Sequence, residues 1–136
     1  MPAPRRLVLD HVVLEVRDPL RSAAFYARTL GLRPVRLREF QAGTAPFVSG
    51  RVGAGTLLDF FPRRLWRGQR SQNPNHLCFS LSAAGLRALE ARLARGGVTV
   101  LRRDPRNFGA RGYGSSIYFR DPDGITLEAR HYPTRR

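Results

Sequence analysis

Apolar positions in this chain repeat with two periods, in the same order twice. Leu7 to Val16 (LVLDHVVLEV) is rich in β-branched and apolar residues and predicts a buried strand. Asp18 then stands where a helix N-cap belongs, with Pro19 at the first helical position. Leu20, Ala23, Ala24, Tyr26, Ala27 and Leu30 recur at helical spacing, and Gly31 suits a C-cap. Pro34 to Glu39 predicts an extended segment. Phe47 to Arg51 and Thr56 to Phe61 predict two further strands, parted by Gly53 and Gly55.

The second half repeats strand–helix–strand–strand–strand. His76 to Leu81 predicts a strand. Ser82 caps a helix running to Arg95, with Leu86, Leu89, Glu90 and Leu93 at helical spacing and Gly96-Gly97 as the stop. Val98 to Arg102 predicts a strand, and Ser115 to Arg120 with Ile125 to Tyr132 a hairpin around Asp121-Pro122-Asp123-Gly124. That tetrapeptide is strong turn chemistry, because proline presets φ and glycine supplies positive φ. The expected organisation is one α+β domain over 1–136, built of two βαβββ modules at about 7–62 and 75–133 with a linker at 63–74. Neither half alone buries its sheet face. The polar 62–74 stretch, with Trp66, reads as that linker or as a lid over a site.

Composition narrows the classes. An apolar fraction of 42% permits an ordinary core. No apolar run approaches the ~20 residues of a membrane helix, and the start at Met1-Pro2-Ala3-Pro4-Arg5-Arg6 does not resemble a signal peptide. The single cysteine, Cys78, has no internal partner, which fits a reducing compartment; the expected location is the cytoplasm. Net charge is +14, and all 24 basic residues are arginine. They are scattered, with small clusters at Arg63-Arg64, Arg102-Arg103 and Arg135-Arg136, and no nucleic-acid-binding motif accompanies them. A solvated arginine surface is therefore preferred to nucleic-acid binding, although such charge steers anionic small molecules inward.

The candidate chemistry also comes in matched pairs. His11 lies in the first strand of one module and His76 opens the first strand of the other. Each module closes on a strand holding a carboxylate among apolar neighbours, Asp59 in LLDFF and Glu128 in ITLEA, and the spans from His11 to Asp59 and from His76 to Glu128 are nearly equal. A buried carboxylate needs a partner. A divalent ion is an economical one, and nitrogen with oxygen donors suits Zn, Fe, Ni, Mn or Co without choosing among them. The bland alternative has the histidines hydrogen-bonded in a core or rim and Glu128 paired with an arginine. His131 lies outside the matched set and reads as an edge histidine.

Strand parity extends the site. Val13 and Glu15 share a face with His11, Cys78 and Ser80 with His76, Leu57 and Phe61 with Asp59, and Thr126 and Arg130 with Glu128. Such a pocket is apolar apart from Glu15 and Arg130. Arg130 either clamps a substrate carboxylate or phosphonate or neutralises Glu15 across the pocket. Cys78 reads as a small buried filler rather than a nucleophile.

LDHVVLEVRDPLRSAAFYARTLGLRPV resembles the opening of vicinal oxygen chelate proteins, the glyoxalase, bleomycin resistance and dioxygenase superfamily. NHLCFSL resembles the strand carrying their second histidine, and YFRDPDGITLEA their closing hairpin with its metal-binding glutamate. The likeness runs from Leu7 to about Tyr132, and GARGYGSSIYFRDPDG is similar to glyoxalase-domain-containing proteins. The resemblance implies an open eight-stranded cup, a metal on His11, His76 and Glu128, and a homodimer, while strand parity supplies Arg130, Glu15 and Phe61 as the residues lining a small substrate. In glyoxalase I a fourth ligand stands where this chain has Asp59, one methylene shorter than the usual glutamate. A three-ligand site, as in fosfomycin-resistance enzymes and extradiol dioxygenases, is thus at least as plausible. Glyoxalase I also has a glutathione-contacting arginine where this chain has Glu15, which argues against a glutathione hemithioacetal.

The implied activity is that of a metal-dependent lyase or isomerase acting on vicinal oxygens, with Glu128 or Asp59 as base. An iron(II) ring-cleaving dioxygenase is the alternative enzyme. A metal-free drug-binding protein is a further alternative, disfavoured by the retained ligands.

Overall fold

The computed structural model describes residues 7–133. The Met1–Arg6 start and the Arg135-Arg136 cluster lie outside the described residues. The chain divides into two compact units between Gln72 and Asn73, with Arg28–Leu30 grouping with the second. The fold is α+β, and each unit carries one four-stranded sheet.

In the first unit β1 (His11–Glu15), β2 (Arg33–Val35), β3 (Val48–Val52) and β4 (Thr56–Phe61) form a sheet in the order β1-β4-β3-β2. β1 runs parallel to β4, and His11 is level with Leu57. The predicted first strand overshoots. β4 begins at Thr56, so Leu7, Val8 and Leu9 extend past the end of the ladder and are exposed.

Helix α1 (Pro19–Leu30) begins and ends where expected. The Asp18 carboxylate accepts from the N–H groups of Leu20 and Arg21 at 3.1 and 3.3 Å, and Gly31 adopts φ 70° at the C-terminus. Its Tyr26 ring lies 5.1 Å from that of Phe60, over the face of β4 that also buries Leu58.

The extended segment expected over 34–39 stops early. Arg36 takes φ 64°, the chain reverses, and a short helix α2 (Leu37–Gln41) follows. A non-glycine residue in the left-handed region leaves no mark in a hydropathy pattern.

The second unit has β5 (Leu77–Ser80), α3 (Ala83–Arg95), β6 (Arg102–Gly109), β7 (Gly112–Arg120) and β8 (Thr126–His131), in sheet order β5-β8-β7-β6. Ser82 caps α3 through Gly85 N–H at 3.0 Å, and α3 packs along β8 with Leu89 and Leu93 fully buried. The closing turn uses the Asp121 carboxylate, whose Oδ1 accepts from Asp123 N–H at 2.8 Å and Ile125 N–H at 2.9 Å, while Gly124 takes φ 83°.

The predicted strand at 98–102 is displaced. The strand begins at Arg102, continues through the polar RRDPRNFG run, and breaks register between Asp104 and Asn107, at Pro105.

Candidate functional site

Pairing in each unit places a histidine and a carboxylate in the same diagonal relation. His11 is level with Leu57, two residues before Asp59, on parallel neighbours. Leu77 is level with Leu127, which puts His76 beside Thr126, two residues before Glu128. The opposite face of each sheet holds the core, with Leu14, Leu58 and Phe60 in one unit and Ile117, Phe119, Leu127 and Ala129 in the other. A period of two therefore assigns the histidines and acids to the non-core face.

In the first unit Asp59 is buried and accepts a 2.6 Å hydrogen bond from Ser49, directly opposite on β3. His11 is exposed, and its Nδ1 lies 2.7 Å from Asp10 Oδ2. That hydrogen bond, with the Asp59 charge acting through space, raises the imidazole pKa above its ordinary value. Phe61 is half-buried against Phe47, with ring centres 4.8 Å apart.

Glu15 is buried and anchors the stretch after β4. It accepts from the backbone N–H of Arg67 (3.0 Å) and Gln72 (2.7 Å) and from Arg67 Nε (3.2 Å). Burial pushes its carboxyl up, but these donors outweigh burial and hold it below the usual range. Residues 63–72, expected as a linker, thus group with the first unit and open with a 3₁₀ turn at Arg63–Leu65.

The second unit builds its site around Glu128. Oε2 accepts from Ser116 Oγ at 2.6 Å and Asn107 Nδ2 at 3.2 Å, with Arg130 Nη1 at 3.5 Å. Oε1 instead faces His76 Nε2 at 3.3 Å. Burial raises the Glu128 carboxyl, and the hydrogen bonds from Ser116, Asn107, Tyr118 and Cys78 more than reverse this. His76 Nδ1 lies 2.8 Å from Asn75 Oδ1. Both histidines thus have Nδ1 against a side-chain oxygen of the preceding residue, and in His76 this turns Nε2 to Glu128 Oε1.

His76, Cys78, Glu128 and Arg130 line one cavity of about 430 Å³, walled further by Phe108 and Arg111. Cys78 is not the buried filler the sequence suggests, because β5 is the edge of its sheet and leaves it exposed. Although the residue is exposed, its thiol is partly screened from water, and this with the nearby Glu128 charge pushes its pKa up to about 11. Arg130 is 5% exposed, and both of its Nη groups are engaged within the protein. His131, on the opposite parity, is half-buried.

The donor chemistry fits a divalent ion. Glu128 offers Oε1, which Ser116 and Asn107 do not occupy and which meets His76 Nε2, and each imidazole has its Nδ1 against a neighbouring side-chain oxygen. Among the described residues no group of three or more His, Cys, Asp or Glu stands assembled around one point, so the donors of the second unit come as a pair. Pattern reasoning missed Asp10, Asn75, Asn107, Ser116 and Tyr118. The first two carried a signal, since each site histidine directly follows a residue with a side-chain oxygen.

Residues 8–129 match the family model described as the Glyoxalase/Bleomycin resistance protein/Dioxygenase superfamily. The chain belongs to that superfamily. Within the glyoxalase superfamily frame, metallothiol transferase FosB of Shouchella clausii (strain KSM-K16) is similar at 32% identity over 120 residues, covering 88% of this chain and 77% of the relative. An integron cassette protein from the mobile metagenome of V. cholerae has a similar structure, with TM-score 0.75 and 26% identity over 96% of this chain and 98% of that one. Lactoylglutathione lyase from Agrobacterium tumefaciens shares the glyoxalase fold at TM-score 0.66 and 20% identity, over 94% and 95% of the two chains. Among the described residues no helix is long and apolar enough to cross a membrane.

Proposed function

We propose that this chain is a divalent-metal-dependent enzyme acting on a small substrate with vicinal oxygens, with His11, His76 and Glu128 as the metal ligands. The observation that carries the reading is the asymmetry of Glu128, whose Oε2 is committed to Ser116 and Asn107 while Oε1 meets His76 Nε2. A bound divalent ion would supply Lewis-acid polarisation of substrate oxygens.

The protein's own residues do the rest. Asp10 and Asn75 orient the imidazoles, and Ser116 and Asn107 hold the Glu128 carboxylate ionised. The second unit's cavity, lined by His76, Phe108 and Arg111, would receive the substrate, and Phe61 and Glu15 are the substrate-lining candidates of the first unit. Asp59 is the candidate base, or a fourth ligand. Its 2.6 Å bond from Ser49 and its diagonal placement beside His11 support either role. The reaction class that follows is lyase or isomerase chemistry on an anionic or neutral small molecule, in a protein expected to be cytoplasmic and homodimeric.

A second reading, transfer of a thiol to such a substrate, is favoured by the 32% identity to a protein named metallothiol transferase. Metal analysis of protein purified without chelators tests the shared premise: a near-stoichiometric divalent ion is expected, and protein free of any bound ion overturns it. Loaded protein screened against vicinal-oxygen substrates with and without added thiol then separates the two chemistries.

A further inference from the structure

We propose that Arg130 is a positioning residue that, together with the β6 bulge, fixes Glu128 with one oxygen turned outward. This rests on the reading of Glu128 as a metal ligand.

Arg130 sits two residues after Glu128 on β8, on the same face. Its Nη2 donates to the Asn107 backbone carbonyl at 2.7 Å and lies 3.3 Å from Asn107 Oδ1, and its Nη1 donates to the Phe108 carbonyl at 3.2 Å. The same Nη1 stands 3.5 Å from Glu128 Oε2. One guanidinium therefore ties the edge strand β6 to the candidate ligand. Asn107 completes the tie, because its Nδ2 reaches Glu128 Oε2 and the Tyr118 hydroxyl, each at 3.2 Å. Asn107 stands where the ladder resumes after the register break at Asp104, level with Gly114. Without that break its side chain would not come to Glu128, which explains a bulge in an otherwise regular hairpin.

Two glycines make room for the guanidinium. A Cβ at Gly109 would fall on Arg130 Nη1 and Cζ, closer than any real Cβ approaches, and 2.5 Å from the Tyr132 hydroxyl. A Cβ at Gly114 would lie 2.6 Å from the His131 carbonyl oxygen and 3.3 Å from Arg130 Nη2. The Tyr132 ring covers the guanidinium at 4.7 Å. The arrangement does not serve Arg130 itself, since its buried Nε–H has no hydrogen-bond partner among the described residues. A buried cation with an orphaned donor is a poor way to stabilise a sheet. It is a good way to tie β6 to the Glu128 carboxylate and to restrict rotation of that carboxylate. Both Nη groups being occupied, the guanidinium orients the ligand rather than gripping substrate.

Outer partners of metal ligands typically contribute about 10–100-fold in metal affinity. The test is titration of metal-free protein with Co(II), by calorimetry and by the visible absorption of the bound ion, with a thermal melt of each variant. R130M and N107A are expected to bind about 10–100-fold more weakly, and R130K less weakly than R130M because it keeps the charge without the fork. Arg120→Met, which removes an exposed arginine at the end of β7, controls for lost charge and should leave affinity unchanged. N107A decides the matter if R130M does not fold. Equal affinity in wild type, R130M and N107A overturns the proposal while leaving the ligand reading intact, and an R120M loss matching that of R130M overturns it as a bulk charge effect. No binding by the wild type overturns the ligand reading itself, and the positioning role with it.

Discussion

His76 Nε2 lies 3.3 Å from Glu128 Oε1, across parallel strands whose register sets the two residues on a diagonal. The contact is made by the one Glu128 oxygen that Ser116 and Asn107 do not occupy. A histidine and an acid prepared in this way invite a cation between them.

His76→Ala and Glu128→Gln should each reduce divalent-metal affinity by more than the ~10–100-fold typical of an outer partner. His76 borders the cavity and is partly exposed, so His76→Ala should leave the melting temperature of metal-free protein little changed, whereas Glu128→Gln leaves the buried Arg130 cation without its acid and should lower it. Calorimetric titration with Zn(II), beside a thermal melt, checks both halves. Unchanged affinity in Glu128→Gln would refute its ligand role.

Cys78 should be slow to alkylate despite its exposure. With its pKa pushed to about 11, roughly one thiol in a thousand is ionised at pH 8. Reaction with iodoacetamide should therefore keep accelerating up to pH 10–11. Glu128→Gln removes the neighbouring charge and should raise the rate at pH 8. A rate that levels off near pH 8.5 would count against this environment.

Glu15 should make stability acid-sensitive. Its folded-state pKa lies below the ordinary value of 4.5, so the unfolded chain takes up the proton first. The contribution is complete above about pH 6, declines as pH falls below 4.5, and disappears once the folded-state pKa is passed. Melting curves of wild type and Glu15→Gln from pH 7 to 3 should show a gap that closes on acidification. A gap that stays constant with pH would exclude a role for the Glu15 charge.

Asp18→Ala should cost about 1 kcal/mol of unfolding free energy through loss of the α1 cap, and Asp18→Asn much less. Phe60→Ala, at a fully buried ring stacked on Tyr26, should cost about 3–5 kcal/mol. Urea melts of the three variants give the order Phe60→Ala, Asp18→Ala, Asp18→Asn. Any other order would mean that α1 and β4 depend on different contacts.

Elements defined by local chemistry were legible in the sequence. The Asp18 and Ser82 caps, the Gly31 stop and the Asp121–Gly124 turn each need only a few neighbouring residues, and the structure shows all four. What failed depended on distant partners. Leu7–Leu9 has the composition of a strand but lies level with the turn before β4, so the ladder begins only at His11. RRDPRNFG lacks strand composition, yet β7 recruits it as an edge, and the bulge that delivers Asn107 follows from that pairing. The His and carboxylate diagonals could be inferred from period two. The oxygen-by-oxygen division of Glu128 could not, because it is set by side chains from β6, β7 and the residue just before β5.

The parallel joining of β1 to β4, and of β5 to β8, also sets a timetable. In each module the strand synthesised first finds its neighbour only when the strand synthesised last has left the ribosome, so the histidine waits for the acid at the far end of its module. Contacts this distant along the chain close loops late and slow folding. A chain cut short of β8 would therefore lose the His76 and Glu128 pairing outright instead of keeping a weakened version of it.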